Sequence, residues 1–586
     1  MRAHPTEGLW ALVAVICLGA LSFFYGAEAR SQMALTGYRP LQYRAAANFP
    51  LGPWGSVSLQ GAPICTCEKL LEGGAAAAAS SRVLCVSRAT AVTAVQVEKL
   101  LETPHFVLLL LPAAGAPLAA AAAEEIKQIE KLLLDRHSIA AVAFARETKD
   151  ATALLERLAK DEEYENAPAR TRMLRPYLTA YSALARELQP IASVKGATLT
   201  SWLNGEPGPE GTAPPTIVFV AHHDAFAAVP HFATGISTSA SGLITLMWLA
   251  RELKKIYKQE ALKYSVAFVL TDASAMNYEG VAQWIGRTDP RLLNATRYVL
   301  CLDNVASASL SLHTPKAYKD PEASRFLQAL ETALKEEGVE LLTRPKKIAG
   351  GEKVLSFWPH EHFTRTKLIA GTISAETELK HFWNRSSLTD DSLDTAALVK
   401  TVRGLAEGTA RFLSNLKSSE SSENSKNSKN SKNRLTFKGE GEGEGRALEE
   451  FIRSWVQLCN KSPRFFAYRN VAGYMGSSSN RLFLKSLTDE MENAGLSTET
   501  HEFDVDLGGF SFSYEPPVPL EIAEARSTFF DWLLLLGAAT YSIAIYLAIR
   551  GAMSNKLLEG TSSSLYSPSP TSSPTAPSAR GGKQKL

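Results

Sequence analysis

Thr216-Ile217-Val218-Phe219-Val220-Ala221, running straight into His222-His223-Asp224, reads as a strand that ends in a cluster of polar side chains. A His-x-Asp at the carboxyl end of a strand suits one zinc ligand plus an acid that orients it through the second ring nitrogen. Downstream, Leu243, Leu246, Met247, Ala250 and Leu253 recur at helical spacing over Ser241 to Tyr257. Two apolar runs follow, Tyr264–Leu270 and Tyr298–Leu302, the second ending in Asp303. Strands alternating with helices predict an α/β fold with a mostly parallel sheet flanked by helices and its site at the strand ends.

Taken together, these residues resemble the zinc aminopeptidases of the M28 type. That family shows His-x-Asp, then Gly-x-Asp-x-x-x-Ser-Gly, a Glu-Glu pair, an Asp after a later strand and a final His. His222, Asp224 and Asp303 match this pattern. The second element, Gly235-Ile236-Ser237-Thr238-Ser239-Ala240-Ser241-Gly242, puts Ser237 where the resemblance expects a metal-bridging carboxylate. The turn after Leu270 carries Ser274-Ala275 where the glutamate pair belongs, and the final His falls near Asn384 and Arg385. A catalytic zinc takes about three protein ligands plus a water, and that water needs a base. Ser237, Ser274 and Ala275 supply neither, so the expectation is a degenerate, non-catalytic site with no metal and no cofactor.

A closer resemblance is to the nicastrin/nicalin family. It is carried by Pro215–Phe226, Asn277-Tyr278-Glu279-Gly280 with Trp284, Cys301-Leu302-Asp303, Trp358-Pro359-His360-Glu361-His362-Phe363, Arg385-Ser386-Ser387 and Leu393-Asp394-Thr395. A single membrane span near the carboxyl end adds to it. Nicalins keep an acid where Ser237 stands, so this chain departs further from a metal site than they do.

The 586 residues allow several domains. A formal net charge of only +2, with no basic-aromatic cluster, excludes a global nucleic-acid-binding character. Residues 1–29 have a signal-peptide layout: an apolar run from Leu9 to Phe24 behind Arg2 and His4, then Ala27-x-Ala29 as a small-residue cleavage site. An uncleaved anchor is the alternative. Residues 30–195 read as an N-terminal luminal α/β region, with strands at Phe106–Pro112 and Ser138–Phe144 and a helix over Ala119–Leu134. The aminopeptidase-like domain covers 196–416. Residues 417–445, with Asn-Ser-Lys and then Gly-Glu repeats, read as a disordered low-complexity linker. A membrane-proximal luminal segment covers 446–528, with helices expected at Ala447–Leu458 and Ser478–Ala494. Residues 529–549 read as a transmembrane helix, uncharged from Trp532 to Ile549. Arg550 and Lys556 beyond it put a Ser/Pro-rich disordered tail, 550–586, in the cytosol and the bulk of the chain in a lumen.

Outside the signal stand Cys65, Cys67, Cys85, Cys301 and Cys459. In an oxidising lumen Cys65-x-Cys67 with Cys85 could hold a disulfide; a Cys-x-Cys zinc half-site is the rival, and Cys301 in its apolar strand reads as core. His360-x-His362 on an extended segment would place both rings on one side, a second candidate metal pair, although the resemblance assigns this segment to pocket shape. Glycan acceptor triplets begin at Asn294, Asn384 and Asn460, the last weakened by Pro463.

The resemblance implies an endoplasmic-reticulum, single-pass type I membrane subunit, with a nodal-modulator-type luminal protein and a small multipass membrane subunit as partners. It further implies association with the Sec translocon and ribosome, in assisting insertion of multipass membrane proteins. Two other classes are open: a membrane-anchored zinc aminopeptidase using His222, Asp303 and His360 or His362, and a nicastrin-like substrate receptor of an intramembrane protease.

Overall fold

The strand that opens the site, Thr216–His222, is buried along its whole length and lies at the middle of an eight-stranded sheet. In a computed structural model the chain is described at residues 33–45, 49–55, 58–72, 82–163, 168, 177–182, 189–208, 212–348, 355–378, 388–414, 436, 442–468, 475–525 and 528–562. The expected signal peptide, Asn384 with Arg385, nearly all of the low-complexity linker and the end of the tail lie outside the described residues.

The sheet comprises β1 (Lys195–Leu203), β2 (Thr216–His222), β3 (Ser265–Thr271), β4 (Thr296–Leu302), β5 (Ser309–Thr314), β6 (Glu340–Pro345), β7 (Ala370–Ser374) and β8 (Thr498–Asp504). Their order is β6-β5-β7-β4-β2-β3-β1-β8. The four central strands, β7-β4-β2-β3, are parallel, and β1 and β8 join antiparallel on one side. Valine, isoleucine, leucine and phenylalanine fill β2, β3 and β4 because both of their faces are covered.

On one face pack α1 (Ser241–Gln259), α3 (Pro321–Glu336) and α5 (Thr395–Leu413), joined by α6 (Glu442–Lys461) and α7 (Met475–Asn493). Leu243, Leu246, Met247, Leu249, Ala250 and Leu253 of α1 are all buried, and each of the larger side chains contributes about 1.5–3 kcal/mol by leaving water. Asp320 caps α3 by accepting from the Ala323 amide, with Pro321 in its first turn. On the other face Tyr278, Val281 and Trp284 of the turn and helix α2 (Glu279–Arg287) pack with Phe363 of α4 (His360–Arg365).

A second, seven-stranded sheet has the order Met33–Gly37, Val518–Ala525, Tyr177–Ser182, Gln60–Thr66, Leu84–Arg88, Phe106–Leu111 and Ala141–Arg146. The expected strand at Ser138–Phe144 starts later than the sequence suggested. Ser138 instead ends a two-residue strand, His137–Ser138, paired with Gly52–Pro53; its hydroxyl donates to Leu101 O and accepts from the Ala140 amide across the bend that precedes Ala141. Residues 446–523 are woven into the rest: α6 and α7 cover α1, β8 edges the main sheet, Val518–Ala525 enters the seven-stranded sheet, and Ser511–Tyr514 joins a third, five-stranded sheet with Gln42–Ala45, Phe49–Pro53, His137–Ser138 and Gln189–Pro190. The low-complexity stretch has one described anchor, Thr436, whose amide and hydroxyl donate to buried Glu407.

Residues 163–177 together with 524–586 form a separate unit. Its helix, Thr528–Ser562, contains Trp532–Gly551, long and apolar enough to cross a membrane once.

Candidate functional site

The carboxyl ends of β2, β3, β4 and β7 converge on the residues singled out from the sequence. His222 ends β2, and its Nε2 stands 3.9 Å from Asp303 Oδ1, just past β4. Asp303 Oδ2 accepts a 3.0 Å hydrogen bond from the Ser374 hydroxyl at the end of β7. Asp224 Oδ2 accepts from both the amide (2.8 Å) and the hydroxyl (2.9 Å) of Ser274. All three retained residues are buried.

The segment carrying Ser237 turns as a single π-helical stretch, Ile236–Ala240, immediately before α1. Gly235 enters it at φ 54°, where a Cβ would meet Ala225 Cβ at 2.7 Å. Gly242 lets α1 press onto the end of β4: a Cβ there would lie 2.6 Å from Leu302 O and 2.7 Å from Asp303 O. The Ser237 hydroxyl donates to Asn304 Oδ1 (3.1 Å), and its amide donates to Asp390 Oδ1 (2.7 Å). Asp390 Oδ2 also accepts from the amide and hydroxyl of Thr238. Burial pushes the Asp390 carboxyl above its ordinary value, opposed by these donors and by the nearby Arg464.

The turn after β3 holds Ala273, Asn277 and Tyr278 at φ 53–55°, left-handed backbone that non-glycine residues rarely adopt. Side-chain bonds hold the turn there. Asn277 Oδ1 accepts from the Ser356 amide, Asn277 O pairs with His362 Nε2 at 2.7 Å, and the Tyr278 hydroxyl donates to Phe357 O. Ser274 and Ala275 sit inside this held turn. Ser274 donates to Asp224, the reverse of what a ligating or basic glutamate would do.

The His360/His362 pair is corrected by the structure. The segment is a helix, α4, with Pro359 at its N-cap, so residues two apart point in different directions. His360 Nδ1 pairs with Thr372 Oγ1 at 2.8 Å, while His362 faces Asn277. Burial first, then neighbouring His313 and Arg365, lowers the His360 pKa to about 3. Burial and Arg365 lower that of His362 to about 4. Both rings are neutral at pH 7.

Three contributors went unnoticed in the sequence: Asn304, Asp390 and Arg464. Arg464 is buried and comes from beyond the low-complexity stretch. It donates to His223 O (2.9 Å), Gly235 O (3.1 Å), Thr234 O and the Ser239 hydroxyl (3.3 Å). Its own backbone bonds Ala225 and Ala233. The only signal was its place after Pro463.

The M28 resemblance implies zinc, and the donor set does not fit it. His222 and Asp303 face each other directly, Asp224 is engaged by Ser274, and the bridging position is a hydroxyl bonded to Asn304. Among the described residues no three His, Cys, Asp or Glu side chains converge as metal ligands. Asp303, Asp224 and Ser237 are each engaged by hydroxyl or amide partners, and His222 faces Asp303 across 3.9 Å. Elsewhere, Cys67 and Cys85 Sγ stand 2.8 Å apart, Cys301 is core, and burial raises its thiol pKa. Asn294 is exposed on a short helix, Pro290–Ala295, whereas the Asn460 amide donates to Asp391 O and Ser462 is buried.

Fold and site together define the class, an M28 peptidase-like protein. Residues 206–409 match peptidase family M28. The crystal structure of the gamma-secretase component nicastrin is similar with a TM-score of 0.53, covering 84% of this chain and 99% of that one; at 12% identity this likeness concerns the fold alone. Among curated proteins the chain is 30% identical over 396 residues to the human BOS complex subunit NCLN, covering 64% of this chain and 69% of that protein. It is 29% identical over 329 residues to the mouse protein (53% and 57%), and 25% over 237 residues to nicalin of Caenorhabditis elegans (35% and 40%). The chain belongs to the nicalin family. It spans 57% of the mouse and 69% of the human relative's length.

Proposed function

We propose that this chain is a non-catalytic, single-pass type I membrane protein of the endoplasmic reticulum, a structural subunit of a membrane complex. The human and mouse relatives carry the name of BOS complex subunits. By the same resemblance its partners are a nodal-modulator-type luminal protein and a small multipass membrane subunit, acting beside the Sec translocon and ribosome in insertion of multipass membrane proteins. The carrying observation is chemical. At the bridging position Ser237, and at the glutamate position Ser274, a hydroxyl donates to a neighbouring acceptor, leaving neither a base nor an anionic ligand. The exposed apolar helix Trp532–Gly551 supports membrane attachment.

The test purifies the full chain from endoplasmic-reticulum membranes in mild detergent, with partners identified by mass spectrometry and zinc by elemental analysis. Stoichiometric luminal and small multipass partners without bound zinc are expected. Stoichiometric zinc lost in His222→Ala, with hydrolysis of aminopeptidase substrates, would overturn the non-catalytic reading. Co-purification with a polytopic protease would favour the receptor reading instead.

A further inference from the structure

Two sulfurs meet in the core of the N-terminal sheet. Strand Gln60–Thr66 runs parallel to Leu84–Arg88, with Cys65 opposite Cys85 in the ladder. The next residue after Thr66, Cys67, opens a short helix, Cys67–Leu71, capped by the Thr66 hydroxyl. That turn carries Cys67, rather than its ladder neighbour Cys65, onto Cys85. Cys67 Sγ lies 2.8 Å from Cys85 Sγ, and both side chains are wholly buried among apolar neighbours that include Val97, Leu100 and Val107. A disulfide has its sulfurs at about 2.05 Å, so the 2.8 Å between these two leaves less than an ångström to close.

We propose that Cys67 and Cys85 form a disulfide in the mature protein, with Cys65 remaining a thiol. This rests on the luminal placement proposed above, where disulfides persist. Each thiol gives up its hydrogen and the two sulfurs join, with loss of two electrons and two protons. A disulfide-bearing oxidant, such as glutathione disulfide or a protein dithiol–disulfide donor, accepts them as its own S–S bond breaks into two thiols. Burial raises the Cys67 thiol well above its ordinary value, which suppresses the thiolate that exchange requires. The bond therefore forms as the chain folds, before the sheet closes over it, and afterwards is shielded from soluble reductants. It ties the start of the Cys67–Leu71 helix to the neighbouring strand across a separation of 18 residues.

The experiment isolates the full chain from membranes, blocks thiols with N-ethylmaleimide under denaturing conditions, digests without reduction and maps peptides by mass spectrometry. The Cys67 and Cys85 peptides are expected joined and unalkylated, with Cys65 alkylated. Cys65→Ser leaves the join intact, and Cys85→Ser releases Cys67 to the reagent. A join through Cys65 overturns the pairing. If all three cysteines are alkylated, a second, unalkylated preparation is treated with oxidised glutathione in mild urea and then mapped in the same way. A Cys67–Cys85 join then upholds the geometry and overturns the luminal placement, whereas no join in either arm overturns the pairing itself.

Discussion

Replacing Arg464 by methionine keeps most of the side-chain volume and removes the cation. In the folded chain its guanidinium serves His223 O, Thr234 O, Gly235 O and the Ser239 hydroxyl, and it lies over the Phe483 ring at 5.5 Å. Methionine leaves three buried carbonyls short of a donor and Asp390 without its nearby positive charge. Losing one side of a buried charged network costs on the order of 3–5 kcal/mol, because the remaining groups stay desolvated and unpaired. A domain of this size shifts its midpoint by about 2–4 °C per kcal/mol, so Arg464→Met lowers the melting temperature by roughly 6–20 °C. Arg464→Lys retains charge but not the planar fork and falls between the two. Thermal unfolding of the detergent-solubilised full chain, followed by tryptophan fluorescence, measures it. A loss below about 3 °C, close to that of an exposed substitution such as Arg291→Met, would refute the claim that Arg464 holds the site loop.

Neutral buried imidazoles give the fold a pH dependence. His360 is lowered to about 3, and His362 and His231 to about 4. Below about pH 6.5 the unfolded chain takes up protons that the folded chain does not, so stability falls as pH drops from 6.5 towards 4. Each ring contributes a slope of about 1.4 kcal/mol per pH unit. Urea titrations at several pH values should show this, with a shallower slope in His360→Asn. Asp390 has the opposite sign: its folded value is raised, so above the ordinary range near pH 4 the folded chain holds the proton longer and rising pH costs stability. Asp390→Asn should therefore gain relative to wild type as pH rises through that window; parallel curves would contradict it. Gly242→Ala drives a Cβ to within 2.6 Å of Leu302 O and should cost about 1–3 kcal/mol by chemical denaturation. In membranes, Asn294→Gln should remove one endoglycosidase-sensitive band shift, and Asn460→Gln should remove none because its amide and Ser462 are already enclosed.

The main sheet was legible because its signals are local. Thr216–Ala221 and Tyr298–Leu302 are apolar runs of strand length, and the α1 stripe repeats at helical spacing. The retained and replaced site positions were legible through the M28 resemblance, which fixes what each place in the pattern should carry. His360-x-His362 misled because periodicity over three residues cannot separate a strand from a helical turn. Pro359 and the packing of Phe363 decide for the helix. Asp390, Asn304 and Arg464 were invisible for a different reason. Their roles come from contacts 67 to 241 residues apart in sequence, and nothing in a lone Asp, Asn or Arg announces its partner. The weaving of residues 446–523 into three sheets was equally hidden, since an edge strand such as Thr-Glu-Thr-His-Glu-Phe-Asp at β8 looks solvent-facing and mostly is.

On the non-catalytic reading proposed above, these distant contacts hold the cluster without a cation. Two carboxylates about 4 Å apart repel by about 4 kcal/mol at an effective dielectric near 20, so an M28-type ligand set stripped of metal would push its own strand ends apart. Serine at 237 and at 274 removes two sources of that repulsion and adds donors. One hydroxyl goes to Asn304 and the other, with its amide, to Asp224. Ser374 does the same for Asp303, and Arg464 supplies a positive charge near Asp390. Each acid that stays is therefore paired with a donor that the fold already places. Restoring one acid alone, as in Ser237→Asp, would put a second carboxylate beside Asn304 and near Asp390, while the nearby Arg464 is already committed to His223 O, Thr234 O and Gly235 O. Its expected outcome is lost stability without stoichiometric zinc uptake, read by thermal unfolding and elemental analysis of the same preparation. Zinc uptake that restores the melting temperature would show instead that the strand ends still form a metal site.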